Sequence, residues 1–487
     1  MNKLIVTPAL FGAFELPEDF VNAQRIIAII RDNHHTVDAL MVGGCVRDMV
    51  SLHLYSCAPF VHPSLPKDFD IEVYGISIET LAQTLIRAGI EVDLVGKCFG
   101  VLKVKGHNID ISVPRREVKV GEGHKDFTVE LDSKMSITEA AERRDFTINA
   151  ISFNPLTGDL YDPFHGIKAL NDEVLHPVSH RFSEDPLRVL RAMQFIARFN
   201  LTPSSELIEA CRGLQDQYHT LAKERVFEEF NKMLLKGRHI SQALKFLKDT
   251  GWLKHFPELN NLVGVQQDPV FHPEGDVFTH TGHCLDAFAK ERSGNDEEDL
   301  IVGYAVLGHD FGKATTTEMG KDGRWHAYGH EEASGPLLEI FMSCLTNQES
   351  LIQQSVTLAK AHMRPINLYN DRASMGAIRR LALAVTRLDL LMRVVAADQS
   401  GRPPLPAKHH ECKQWLMPLA AQLNVERDKP KPIITGRHII EEFQLKPGPI
   451  FSTILGIAFE AQLDGHFATV QEGKAYLRAR TCQFMGQ

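Results

Sequence analysis

The sequence predicts an α+β fold in two parts, a head built on a small mixed sheet followed by a mostly α-helical body. Three observations carry this expectation. From about residue 38 to residue 113, short β-branched runs alternate with turn residues. Beyond about Glu184 the apolar residues recur instead with the period of a helix. A chain of 487 residues is also too long for one ordinary core.

The elements follow in order. Residues 18–34 (EDFVNAQRIIAIIRDNH) carry apolar side chains at helical spacing and complete a helical N-terminal extension, 1–35. VDALMVGG reads as a buried strand ending in two glycines, with a helix opening near Cys45. FDIEVYG, EVDLV, GVLKVKG and NIDISV read as further strands of the same sheet, within a head spanning 36–170. DPLRVLRAMQFIARF, RVFEEFNKMLL and SQALKFLKDTGWL then form the amphipathic helices of a neck, 171–262. An all-α domain is expected over 263–402 and a helical tail over 403–487. The polar loop RSGNDEED (292–299) and the Pro-rich DQSGRPPLPAKHH (398–410) punctuate this body.

Apolar residues make up 44% and charged residues 24%, the balance of a soluble globular protein. Lys and Arg number 53 against 62 Asp and Glu, and the net charge of −9 excludes a protein that coats nucleic acid by bulk charge. Local basic surfaces stay open, and residues 223–254 hold eight Lys/Arg against four acids. No apolar run reaches the ~18–20 residues of a membrane span. The start, MNKLIVTPALFGAF, is broken by Pro8 and Gly12, runs into Glu15, Glu18 and Asp19, and has no small-residue cleavage site. The eight cysteines are scattered without a C-x-x-C pair, so a reducing cytoplasm is expected, with neither zinc knuckle nor disulfide framework.

The most informative pair is Asp68 and Asp70 in KDFDIEVYG. Spacing of i, i+2 on a strand puts both carboxylates on one face, with Phe69 and Ile71 on the other. Such a pair repels unless a cation lies between, and it suits two Mg2+ ions ~3.5–4 Å apart for nucleotidyl transfer. Upstream, Gly43 and Gly44 join a strand to a helix, where backbone N–H groups approach a phosphate; Arg47 adds a cation. Downstream, Asp110 lies between Ile109 and Ile111, placed to complete coordination or to accept the proton of an attacking hydroxyl. RRDFTINA (143–150) then offers two arginines to a triphosphate.

The pieces VGGCVRD, KDFDIEV, RRDFTINAI and FSEDPLRVLRA, in that order over about residues 41–235, resemble the tRNA nucleotidyltransferase and poly(A) polymerase family of the polymerase-β-like superfamily. The resemblance implies a polymerase-β-like head that adds C, C and A to the tRNA 3′ end from CTP and ATP without a nucleic-acid template. It makes Asp68 and Asp70 the Mg2+ ligands; Asp110, read from its place on another strand, joins them as a catalytic candidate. Gly43, Gly44, Arg47 and Arg144 then contact the nucleotide. Asp185 and Arg188, i and i+3 on a helix face, offer an acceptor and a donor. Cytosine and adenine each present the complementary amino group beside a ring nitrogen, whereas uracil and guanine do not. In family terms this pair selects CTP and ATP, with Arg191 one turn further on; Gln194 stands where some relatives carry another Arg.

GEGHKDFTVELDSKMSI (121–137) corresponds to the loop associated with adding the terminal A. Gly96–Gly100 lacks the doubled-Arg stretch of the family's poly(A) polymerases, which favours CCA addition. LYSCAPFVHPSLP (54–66) is an inserted loop. Position beside the nucleotide motifs favours RNA as the partner of the basic 223–254 segment.

Seven of the 23 histidines fall between 272 and 362. His280, His309-Asp310 and Asp398 match the H…HD…D pattern of HD phosphohydrolases, with His330 and His362 as possible second ligands. HPEGDVFTHT and ADQSGR extend the resemblance to bacterial CCA enzymes with an attached HD domain, the multifunctional CCA subgroup. That implies phosphatase and 2′,3′-cyclic phosphodiesterase chemistry on a divalent transition metal, often Ni2+. The tail could grip the far part of tRNA or make a homodimer rather than a monomer. A-only addition or poly(A) synthesis is the close competitor; an HD phosphohydrolase with a silent, RNA-binding head is the competitor of another class.

Overall fold

The computed structural model describes residues 4–5, 16–55, 66–94, 100–119, 127–407 and 409–480. These fall into two compact units, one running to Val226 and including Phe246–Trp252, the other made of Phe227–Lys245 and the chain from Leu253 onward. The helical stretch 171–262 therefore contributes to both. Trp252, fully buried, donates from Nε1 to the Cys211 carbonyl at 2.8 Å and so ties its segment into the first unit.

Among the described residues ten strands lie before residue 162. They are β1 (Leu4–Ile5), β2 (Asp38–Val42), β3 (Phe69–Tyr74), β4 (Val92–Asp93), β5 (Val101–Val104), β6 (Ile109–Ser112), β7 (Arg115–Lys119), β8 (Phe127–Leu131), β9 (Ser152–Asn154) and β10 (Asp159–Tyr161). Eight of them form one sheet in the order β1-β10-β9-β2-β3-β6-β5-β4, while β7 and β8 make a separate antiparallel ribbon. Every pairing in the sheet is antiparallel except β3 with β6. The sheet is mixed, as the sequence predicts.

Leu4–Ile5 departs from the expected N-terminal helix: it pairs with β10, Leu4 opposite Leu160. Two residues are too few to show an alternation, so only the pairing reveals the strand. The helix Glu18–Asn33 forms as expected and buries Phe20, Ala23, Ile26, Ile27 and Ile30, the spacing of one helical stripe. Phe20 meets Phe69 of β3 edge-on at 5.9 Å. Of the loops singled out above, 56–65, 96–99 and 121–126 lie outside the described residues, and the remainder of the 121–137 stretch includes β8.

The second unit is helical apart from a hairpin of Glu318–Met319 with Trp325–His326, again too short to read from sequence. Helices Val277–Lys290, Asp296–Gly308, His330–Leu345, Glu349–Ala361 and Leu388–Ser400 carry the histidine-rich motifs. Ile301–Gly308 is buried on all sides, which is why its helix reads as almost wholly apolar. Farther along, Ile434, Ile439, Ile454, Ala458, Ala461, Phe467 and Leu477 form a small core of their own in the tail. Among the described residues no helix is long and apolar enough to cross a membrane.

A cluster of rings fixes this second core. Phe230 has no exposed surface and meets Phe256 and Phe341 edge-on at 5.0 and 5.8 Å, while Phe311 meets Phe341 at 5.6 Å. Phe230→Ala leaves a ring-sized cavity and should cost about 3–5 kcal/mol of the stability of this unit. Denaturant unfolding measures it, and a loss below about 1 kcal/mol would show that the cluster relaxes around the gap.

Candidate active sites

In the first unit the site is built from β3 outward. Phe69, Ile71 and Val73 are buried on one face of the strand, so Asp70 and Glu72 emerge on the other, with Asp68 just before the strand begins. Parallel pairing with β6 sets Asp110 directly opposite Asp70, and antiparallel pairing with β2 sets Val42 there from the other side. Desolvation pushes the Asp70 carboxyl above its ordinary value; Arg144 opposes this, and the Asp110, Asp68 and Glu72 charges add to the rise. Four acids thus share one face of the sheet around Asp70. Lys103 Nζ lies 3.7 Å from Asp110 Oδ2.

Beyond Val42 the chain turns at Gly43, with φ +74°, into the helix Gly44–Tyr55. A Cβ at Gly43 would lie 3.2 Å from Arg144 Nη1 and 3.5 Å from Asp70 Oδ2. Glycine is needed there twice, for its left-handed backbone and for the closeness of those two side chains. Arg144 donates from Nη2 to Glu72 Oε2 at 3.1 Å and from Nη1 to the Asn149 carbonyl at 3.0 Å. Arg47 is buried, donates to Asp48 Oδ1 and to Asn149 Oδ1, and lies over the rings of Phe195 and Phe199 at 5.1 and 4.7 Å.

The helix Leu187–Phe199 begins later than a shared-face reading of Asp185 and Arg188 requires. Asp185 stands before it, accepting Leu187 N–H on Oδ1 at 3.0 Å and Arg225 Nη2 on Oδ2 at 3.1 Å. Arg188 lies in its first turn and donates from Nη1 to the Arg181 carbonyl and from Nη2 to the Arg143 carbonyl, both at 2.7 Å. Two of its five N–H groups are thus spent on holding its plane. Arg191 grips Asp145 Oδ2 at 2.6 Å; burial opposes the Asp145 charge, but Arg191 and the Asn149 amide hold its carboxyl below the usual range.

A cavity of about 630 Å³ gathers Gly43, Gly44, Arg47, Asp70, Arg144, Asp185, Arg188 and Arg191. Arg115, Arg143 and Arg225 bring its arginines to seven, a lining suited to a polyanion. Asp68 and Asp110 are not on its wall but flank Asp70 by chain and by ladder. Glu72, Asp145, Asn149 and Arg225 were missed from sequence. Glu72 continues the alternation of Asp68 and Asp70 and could have been found; Arg225 meets Asp185 from 40 residues away, which no local pattern reveals.

The second unit brings together all six of its sequence candidates. His280 lies on the helix Val277–Lys290, His309 and Asp310 just past Gly308, and His330 at the start of His330–Leu345. His362 follows Ala361, and Asp398 lies near the end of Leu388–Ser400. His280 Nε2 is 3.2 Å from Asp398 Oδ1 and 3.6 Å from Asp310 Oδ2. His309 Nε2 is 3.3 Å from Asp310 Oδ2, and His330 Nε2 is 3.4 Å from His362 Nε2. Asp310, His330, His362 and Asp398 line a cavity of about 430 Å³; His280 and His309 are buried behind it.

Burial disfavours the charged form of each group here, and neighbours reverse it at Asp310, Asp398 and His309 but not at His362. Asp310 and Asp398 are held well below the ordinary carboxylate range by the imidazoles, joined at Asp310 by Lys313. Burial lowers His309 but Asp310 lifts it to about 9, whereas burial and His309 push His362 down to about 3, leaving a neutral imidazole. His309 Nε2 and both Asp310 carboxylate oxygens are buried without an aligned hydrogen bond from the described residues, even though Lys313 Nζ is 2.7 Å from Asp310 Oδ2. Such orphaned donors of N and O type fit a divalent ion. Sequence reasoning missed Glu274, whose side chain has no exposed surface, with Oε1 2.8 Å from His280 Nδ1 and 2.9 Å from His272 Nδ1. It also missed Cys284, one helical turn past His280.

Residues 39–176 match the poly A polymerase head domain family, and residues 200–262 match the probable RNA and SrmB-binding site of polymerase A. The multifunctional CCA protein of Xanthomonas campestris pv. campestris strain B100 is 34% identical over 319 residues, covering 63% of this chain and 76% of that one. That of Nitrosospira multiformis is 31% identical over 376 residues, covering 74% and 83%. The chain belongs to the multifunctional CCA protein family. It is accordingly an enzyme, a nucleotidyltransferase. The fold agrees. The Bacillus stearothermophilus CCA-adding enzyme in complex with CTP aligns with TM-score 0.66 and 18% identity, over 96% of this chain and 99% of that one. The Thermotoga maritima CCA-adding enzyme complexed with tRNA aligns with TM-score 0.60 and 18% identity, over 98% and 99%.

Proposed function

We propose that this protein builds and repairs the 3′-terminal CCA of tRNA in the cytoplasm, from CTP and ATP and without a nucleic-acid template. Its second unit is read as a metal-dependent phosphohydrolase for phosphomonoesters and 2′,3′-cyclic phosphates. One observation carries the first reading: a single cavity is lined by Asp70, by seven arginines, and by Asp185 and Arg188. Polyanion, metal and base would all be addressed within one nucleotide's reach. Enzymes of the same fold have been crystallised with CTP, with ATP and with tRNA, which supports it.

The crowding of Asp68, Asp70, Glu72 and Asp110 fits Mg2+, with Asp68 and Asp70 as its holders. Bound there, Mg2+ supplies a more acidic 3′-hydroxyl and neutralises charge on the leaving pyrophosphate. The chain's own groups do the rest. The triphosphate is received by the backbone at Gly43 and Gly44 and by Arg144, whose guanidinium Glu72 keeps beside Gly43. Asp110 completes the cluster or takes the hydroxyl proton. Asp185 accepts from the amino group of cytosine or adenine, and the free N–H groups of Arg188 donate to the adjacent ring nitrogen. The basic segment 223–254 follows the tRNA backbone. In the second unit His280, His309, Asp310 and Asp398 would hold a divalent transition metal such as Ni2+, with His330 and His362 serving a second ion.

Purified protein incubated with tRNA lacking CCA should incorporate C from CTP alone and complete the end when ATP is added. Label from ATP alone with none from CTP would mean A-only addition. Asp70→Ala should abolish both incorporations and leave tRNA binding largely intact, and near-normal turnover would remove Asp70 from the chemistry.

Asp185→Ala tests base choice. Loss of a base contact of ~1–3 kcal/mol should relax discrimination against UTP and GTP by roughly 5- to 150-fold, read as relative kcat/KM for the four nucleotides. The variant also loses a cap on Leu187 N–H, at about 0.5–2 kcal/mol, so the assay belongs well below its unfolding temperature. A uniform loss for all four nucleotides would make Asp185 structural.

The two activities should separate. His309→Ala should end hydrolysis of 2′,3′-cyclic nucleotides while CCA addition continues at its wild-type rate, because the residues concerned belong to different units. A joint loss in a folded variant would argue for one shared site.

A further inference from the structure

We propose that Cys284 is a thiolate ligand in the metal site of the second unit, adding a sulfur donor to His280, His309, Asp310 and Asp398. The inference rests on the phosphohydrolase reading, which by itself supplies only nitrogen and oxygen donors. Cys284 lies one turn after His280 on the same helix, so both side chains leave the same face. Its Sγ is 3.3 Å from His280 Nε2, and that nitrogen is 3.2 Å from Asp398 Oδ1. His309 Nε2 is 3.9 Å from the same oxygen, and the ligand atoms of His280, Cys284, His309 and Asp398 all lie within 4.8 Å of one another. Donors around one ion with bonds of ~2.0–2.3 Å stand roughly 3–3.6 Å apart. Small side-chain movements close the set.

Two further features set Cys284 apart from a buried cysteine that serves only as packing. Its sulfur has polar neighbours, lying against the His280 ring at 3.3 Å from Nε2 and 3.8 Å from Nδ1, with the Asp398 carbonyl at 3.8 Å. It is also fixed in place: a Cβ at Gly401 would lie 2.3 Å from Sγ, so the chain approaches there only because that residue is glycine. The orphaned His309 Nε2 is the independent sign of a missing partner. His280 completes the pattern, since Glu274 engages its Nδ1 and leaves Nε2 for an ion. Loading replaces the thiol proton with the metal and releases that proton to solvent; no redox change is involved. A sulfur donor moves preference from Mg2+ or Mn2+ toward Zn2+, Ni2+ or Co2+.

The test uses full-length, metal-free protein titrated with Co2+ and with Ni2+, reading thiolate-to-metal charge-transfer absorption in the near ultraviolet. Wild type should develop the band at one equivalent, and Cys344→Ser, which alters an exposed thiol, should keep it. Cys284→Ser should lose the band and bind Ni2+ at least roughly 10–100-fold more weakly, since even outer partners of a ligand are worth that much. Mn2+ binding should change far less. X-ray absorption at the Ni edge of wild type, which needs no variant to fold, should find a sulfur scatterer at ~2.3 Å. A band surviving in Cys284→Ser, or bound Ni2+ without a sulfur neighbour, overturns the thiolate and leaves the hydrolase reading standing if cyclic nucleotide is still cleaved. Failure of wild type both to bind metal and to cleave overturns both.

Discussion

The first unit depends on one constraint: four carboxylates must coexist around one position of one strand. The β3–β6 register brings Asp110 opposite Asp70, and strand alternation adds Glu72 on the same face. In water such acids would separate; in a sheet they cannot. Everything adjacent is arranged to tolerate them. Arg144 takes Glu72, the Asn149 carbonyl takes the other arm of Arg144, and the Asn149 side chain joins Arg47 to Asp145, which in turn holds Arg191. Acid and base thus alternate through a connected network. The glycine at 43 follows from the same constraint, because any side chain there would displace the arginine nearest the acids.

The second unit meets the same problem of buried charge with helices and histidines. Its counter-charges are imidazoles, which can be neutral ligands or cations according to their neighbours. His309 and His362 show the range: beside Asp310 one is lifted to about 9, and in the shadow of that charge the other falls to about 3. Arginines could not do this, since they neither lose a proton nor ligate an ion. On the proposed function, the choice of residue type therefore separates a site whose arginines would hold phosphates by permanent charge from one whose imidazoles would serve as metal ligands.

Sequence made legible whatever is local. β2, β3, β5 and β6, the glycine turn, the paired aspartates and the helix Glu18–Asn33 all follow from alternation or helical spacing within a dozen residues. Among the short strands β4 was legible within EVDLV, whereas β1, β9 and β10 carried no such signal. The H…HD…D histidines were visible as residue types, but Glu274 was not, because its role comes from meeting His280 and His272 at a buried corner. The Asp185–Arg188 pair was found by spacing and placed wrongly in detail. A helix over both residues was expected, and the helix starts at Leu187 because Asp185 spends a carboxylate oxygen on that residue's N–H. Partners 40 and 46 residues away, Arg225 for Asp185 and Asp145 for Arg191, are set by packing alone.

That displacement bears on how a protein could choose a base. A flexible arginine beside a flexible aspartate would satisfy almost any nucleobase edge by rotating, and would discriminate little. Here Asp185 is held by Leu187 N–H and Arg225, and Arg188 by two backbone carbonyls at 2.7 Å. Backbone carbonyls cannot be exchanged for a ligand, so the plane and remaining donors of Arg188 are fixed before any nucleotide arrives. Fixed donors and acceptors penalise a mismatched edge by leaving buried groups unpaired, and that penalty rather than the strength of the matched contacts is the source of selectivity. On the proposed function, the bonds that keep the pair from a shared helix face are therefore the ones that would let it serve as a template.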